Sequence, residues 1–421
     1  MLFALRLARM LSMPLRAIFG LSCCLLVPAC GTRAVHDLNA ESRAAQTVET
    51  EADVFSIRRA EPPSDREIFD TGDALNVPRQ TASVNDTARM LAGLPALTGN
   101  DAYPDVRSSE GWTAHQSRMN QLWADYEARH RQPIRQWASR EIADLQSSSA
   151  LFYPFSGPDF LFADAFFPRA ETVVLCGLEP AEPLPQLSSL TGADIENGLN
   201  GLRNSLNSVM QFSFFITKDM RTDLQATRFR GVLPVLLVFL ARSGHSVESV
   251  DSIRLDGNGS AVLARAGAGA TGLLIRARSP EGGIKRVFYF KQDLSNDGIR
   301  PGAPFLKFVS QLGRPPAFTK SASYLMHEDS FSVIRDYLLQ NCRAIVQDPS
   351  GIPYQNLLKS RMELRLYGDY QGTLQMFSGQ AQPDLIEAYR EGKHRAQPLS
   401  FGIGYLYNPA STCLMVGRTA R

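Results

Sequence analysis

The sequence is poor in the residues that announce a catalytic or metal site. Only six cysteines and six histidines occur in 421 residues, and Cys23, Cys24 and Cys30 fall within the first thirty. The one compact His–acid cluster, His327-Glu328-Asp329, lacks the second histidine of an H-E-x-x-H helix, so no metal site is expected. The G-x-S-x-G elbow that exposes a hydrolase nucleophile is missing as well. Net charge is also scarce, at +2. The first 29 residues hold Arg6, Arg9 and Arg16 and no acid, so removing them leaves −1. That balance excludes the basic face a nucleic-acid partner requires. After this leader, the longest apolar run lies in GVLPVLLVFLARSG and is about half the roughly twenty residues that cross a bilayer.

What is present begins at the N-terminus. A basic segment precedes the uncharged stretch Ala17–Ala29, which ends V-P-A-C-G, the layout of a secretory signal peptide. Cys30 after a small residue resembles the lipobox of bacterial lipoproteins, although Pro28 departs from that pattern. The resemblance covers the first thirty residues and implies that Cys30 carries the acyl chain. With Gly31 following, it points to the periplasmic face of the outer membrane. Val27-x-Ala29 also suits ordinary signal peptidase, which would leave the protein soluble in the periplasm or secreted. The expected partners are the membrane, through the anchor, and an envelope ligand or protein.

Residues 30–108 are polar and read as a tether, with one short helix at Asp86–Leu94. Residues 109–421 read as a single mixed α/β domain. Its first half is helix-rich around a short βαβ core, and its second half is an antiparallel meander with hairpins. All three tryptophans lie in a helical stripe over 109–145, which Pro133 should kink or divide. Such a stripe reads as core. Thr191 and Asp194 form a capping box for a long amphipathic helix over 194–225. Period-two alternation over 248–294 gives the meander, followed by helices near 304–313 and 328–341. Hairpins are expected in MELRLYGDYQGTLQMF and SFGIGYLYNPASTCLMVG.

The densest apolar block is LFYPFSGPDFLFADAFFPRAETVVLCGLEP at 151–180, with six phenylalanines in sixteen residues. It reads as strand, turn, helix, strand, with a ligand crevice at the turn lined by Ser156, Asp159 and Glu179. An acid about twenty residues after such a turn holds ribose hydroxyls in dinucleotide-binding and methyltransferase-like folds. The glycine fingerprint is missing here, Pro158 removes a backbone donor, and no cofactor is expected. Ser156 on the turn leaves a hydrolase as the alternative function, but it suits the helix N-cap equally. The block is similar to exported bacterial proteins without an assigned activity, which implies no chemistry.

Gly267-Ala-Gly269-Ala-Thr-Gly272 matches G-x-G-x-x-G, yet a strand pattern follows it, so it reads as a hairpin turn. Asp348-Pro-Ser-Gly-Ile-Pro-Tyr354 is a rigid turn able to border a cleft. Cys176 lies in an apolar strand, and Cys342 with Cys413 is the expected disulfide.

Overall fold

The computed structural model describes residues 81–97, 101–185, 187–215, 227–265 and 269–419. Helix α1 (Thr81–Leu91) is followed by α2 (Glu110–Tyr126) and α3 (Gln132–Glu141). A π turn, Glu127–Arg131, joins the last two. Pro133 accounts for the junction. It has no N–H to give, so it sits in the first turn of α3 and the wider turn ahead absorbs the mismatch. Met119, Leu122, Tyr126, Ile134 and Trp137 of the stripe are buried, as core side chains should be.

Strand β1 (Ala150–Tyr153), α4 (Phe160–Phe166) and β2 (Thr172–Gly177) make the expected parallel βαβ unit, with Ala150 opposite Thr172 and Tyr153 opposite Leu175. Helix α5 (Gly192–Phe212) opens with the Thr191–Asp194 capping box. Helix α6 (Leu233–Arg242) is buried from Leu233 to Ala241, and Gly244 after it takes φ 89°. The meander follows as β3 (Ser246–Leu255), β4 (Ala261–Leu263), β5 (Gly272–Arg278) and β6 (Ile284–Lys291), each pairing antiparallel. Gly272 therefore opens a strand, and Gly267 lies outside the described residues. Then come α7 (Pro304–Gln311), β7 (Pro316–Thr319), α8 (Ser332–Asn341), β8 (Ala344–Gln347), α9 (Tyr354–Lys359), β9 (Glu363–Gly368), α10 (Pro383–Arg390) and β10 (Cys413–Arg418).

All ten strands form one sheet in the order β4-β3-β5-β6-β2-β1-β7-β8-β10-β9. The five central strands, β6 to β8, are parallel, and the flanks are antiparallel. Alternate side chains serve opposite faces, as the strand period demands. Leu151, Tyr153, Val173 and Leu175 pack with α1 to α6, whereas Phe152, Val174 and Cys176 pack with α7 to α10. With both faces covered, β1 and most of β2 carry apolar side chains at consecutive positions, which is why LFY and VVLC show no alternation.

Four expectations need correction. The second half is not only antiparallel: β6, β7 and β8 complete the parallel core. Neither C-terminal hairpin forms, because β9 pairs with β10 rather than with its own continuation, and Gln375–Gln380 is a 3-10 turn. Pairing β10 between β8 and β9 buries Leu414, Met415 and Val416, which a two-stranded hairpin would leave exposed. The folded body extends upstream of residue 109, since Met90 and Leu91 of α1 lie in the core. Cys342 and Cys413 are free, buried thiols. Cys413 Sγ accepts the Tyr389 hydroxyl at 3.3 Å, and burial pushes the Cys342 thiol up to about 12. Both behave as small apolar residues.

Candidate ligand site

In an open α/β sheet the ligand crevice lies beyond the carboxyl ends of the strands, where the chain order reverses. Here the reversal falls between β1 and β7. The β1–α4 turn leaves toward one face, and the segment from β7 to α8 leaves toward the other. Backbone strain concentrates at this edge. Phe155, Ser213, Ser321, Ser323 and Tyr324 all take φ between 52° and 68°, a region non-glycine residues seldom occupy.

The crevice between β1 and β7 is filled by the chain's own charges. Lys320, just past β7, places Nζ 2.9 Å from Asp159 Oδ2, and both side chains are 2% exposed. The Tyr153 hydroxyl donates to the same oxygen at 2.9 Å, and Asp159 Oδ1 accepts the Phe162 N–H at 3.1 Å. Lys320 also donates to the Ser213 carbonyl and lies over the Phe162 ring, 4.2 Å from its centroid. Asp159, not Ser156, is therefore the cap of α4, and its carboxylate is fully engaged. The turn offers no anion cradle: the N–H groups of Gly157, Asp159 and Phe160 go to the carbonyls of Cys176, Ser156 and Pro158.

Ser156 is tied to the neighbouring strand. Its Oγ accepts the Cys176 N–H at 3.0 Å and lies 2.9 Å from the Gly157 carbonyl and 3.3 Å from that of Cys176. Among the described residues all of its hydrogen-bond partners are backbone groups, so the serine locks turn to strand. Among the described residues no base stands at hydrogen-bond distance from its hydroxyl.

Glu179 is different. It lies two residues past β2, 8% exposed, and its carboxylate folds back over the β1–α4 turn. A side chain on Gly157 would come 3.6 Å from Oε2, and one on Gly177 would strike Glu179 and the Gly157 backbone. Gly177 must therefore stay bare for this approach, whereas Gly157 is held to glycine by its φ of 52°. The Tyr289 hydroxyl, from β6, is 3.2 Å from Oε2 and donates to the Glu179 carbonyl at 2.9 Å. No cation lies within 4 Å of the carboxylate among the described residues. Burial, and then the Glu179 charge, hold the Tyr289 hydroxyl well above its ordinary range.

Sequence reading did not find Lys320 or Tyr289, because neither stands in a motif. It did single out Asp348, which ends β8 at the same edge. Asp348 accepts the Ser321 and Ser350 N–H groups at 2.9 and 3.0 Å, and burial pushes its carboxyl up. A strap at 401–407 crosses there. The Tyr405 hydroxyl donates to the Ser321 carbonyl at 3.0 Å, and Gly404, at φ 69°, passes so close to Asp348 that no side chain fits. Beside it, the hydroxyls of Thr319 and Ser321 are buried without a hydrogen-bond partner among the described residues. Cys30 lies outside the described residues. Compared with known proteins, the chain matches no family model, no curated sequence and no solved structure.

Proposed function

We propose that the chain is a lipid-anchored protein of the cell envelope whose α/β domain binds a small molecule bearing a vicinal diol, ribose being the type. The anchor reading rests on the signal-like leader and Cys30, with Gly31 directing it to the outer membrane. Among the described residues no helix is long and apolar enough to cross a membrane. The binding reading rests on one observation: Glu179 is a buried carboxylate with no cation within 4 Å among the described residues, held over a glycine turn at the carboxyl edge. A carboxylate accepts two hydroxyl protons at once, which a diol supplies.

Topology supports the same reading by analogy. Counted in chain order, the seven strands from β6 to β9 run 3-2-1-4-5-7-6, with the seventh reversed. That is the order of methyltransferase-like sheets, in which the acid after the second strand faces ribose. Fold alone assigns no reaction, and group transfer is not part of the proposal.

The test is calorimetric titration with adenosine and 2′-deoxyadenosine. Adenosine should bind more tightly, and Glu179→Gln should erase the difference, a loss of about 1.5–3 kcal/mol for a charged hydrogen bond. Equal binding of the two nucleosides, or none, refutes the ligand class. For the anchor, Cys30→Ala should release the protein from the membrane fraction, and unchanged fractionation refutes lipidation.

A further inference from the structure

We propose a second site, for a neutral polyol such as a monosaccharide, farther along the same edge of the sheet. A cavity of about 320 Å³ opens among the segments that follow β7, β8 and β9. His327 and Glu328 come from the first, Gln355 from the second, and Gln380 and Asp384 from the third. It shares no residue with the Glu179 crevice, so it stands apart from the reading above. Its volume is at the lower end of the roughly 300–1,000 Å³ typical of ligand pockets, which favours a ligand of one ring.

The lining decides the chemistry. Among the described residues no group of three or more His, Cys, Asp or Glu is placed to hold a metal ion. Two carboxylates, with no lysine or arginine in the lining, repel an anion. An apolar ligand would strip water from carboxylates and carboxamides without replacing its hydrogen bonds. An organic cation would bring no acceptor for the carboxamides, and each carboxylate here already meets one. Gln355 Nε2 donates to Asp384, and Gln380 Nε2 reaches Glu328 at 3.5 Å. His327 adds no charge near neutral pH, since burial draws it down to about 4.

Hydroxyl groups suit such pairs because each can donate to the carboxylate and accept from the amide. Carboxylates and carboxamides are planar with two polar atoms apiece, a match for adjacent hydroxyls on a ring. The wall is also fixed beforehand. Gln382 Oε1 accepts the Tyr354 N–H at 2.7 Å, its Nε2 donates to the Pro349 carbonyl at 3.1 Å, and its own N–H goes to the Tyr370 hydroxyl at 3.3 Å. A wall ordered in advance reduces the entropy lost on binding.

The experiment is a titration of the whole protein, followed by NMR, with glucose, N-acetylglucosamine and, as a cationic control, choline. Saturable binding of at least one sugar is expected. Gln355→Ala and Asp384→Asn should each weaken it about tenfold or more. Both side chains reach the surface, so thermal melting should stay unchanged and separate lost binding from lost fold. Glu179→Gln should leave sugar binding intact, which distinguishes this site from the diol crevice. Binding of choline in place of the sugars, failure of both sugars, or indifference to both variants overturns the proposal.

Discussion

Replacing Lys320 by methionine tests the account of the β1–β7 crevice most directly. The substitution keeps the stem that lies against Phe162 and removes the ammonium that neutralises Asp159 at 2.9 Å. Asp159 keeps the Tyr153 hydroxyl and the Phe162 N–H, two dipoles in place of a full charge. Breaking a buried pair from one side costs about 3–5 kcal/mol, because the remaining charge can neither reach water nor find a partner. That is on the order of a hundred- to several-thousand-fold in the folded-to-unfolded ratio. Urea denaturation followed by tryptophan fluorescence reads it, since Trp112, Trp123 and Trp137 all lie in α2 and α3. The double variant Lys320→Met with Asp159→Asn keeps a cap for α4 and removes both charges, so it should recover much of the loss. A single variant within about 1 kcal/mol of the parent, or a double variant no better than the single, would refute the reasoning.

Two further outcomes follow from burial. His115, His130 and His245 are nearly inaccessible, and loss of hydration draws each down to about 4. The unfolded chain, with ordinary values near 6.5, then binds more protons below that pH, so stability is full above about 6.5 and falls toward pH 4. At pH 5 each histidine should cost about 2 kcal/mol, and a urea midpoint equal at pH 7.5 and pH 5 contradicts the burial. Cys176, Cys342 and Cys413 should resist a thiol reagent until the protein is unfolded, and reductant should not move the melting temperature. A melting point lowered by reductant would restore the disulfide.

What the sequence discloses is mostly local. The βαβ unit, the capping box at Thr191 and the burial of α6 are each written in fewer than thirty consecutive residues. Glu179 belongs with them, because its distance from the turn is itself a signal. Lys320 is not legible, since its partner is 161 positions earlier and its own neighbours, Thr319 and Ser321, carry no pattern. Tyr289 reads as one more aromatic in a strand until β6 is set beside β2. Strand order is hidden for a related reason: VFYF and LMV fit any slot buried on both faces, so pattern alone cannot place them. The cap falls to Asp159 rather than Ser156, a choice between two capping residues that composition alone does not make.

The order of the sheet also governs when it can assemble. Strand β2 waits for β6, whose pairing joins Thr172 to Arg286 across the whole meander. The slot between β8 and β9 stays open until residues 413–418 arrive. Until that segment is made the facing edges of β8 and β9 stay unpaired, and contacts so distant in sequence form slowly. A chain that fills the flank of its sheet this late remains threadable there until residues 413–418 are made. That delay suits the proposed export, and it makes β10 a timing element of folding.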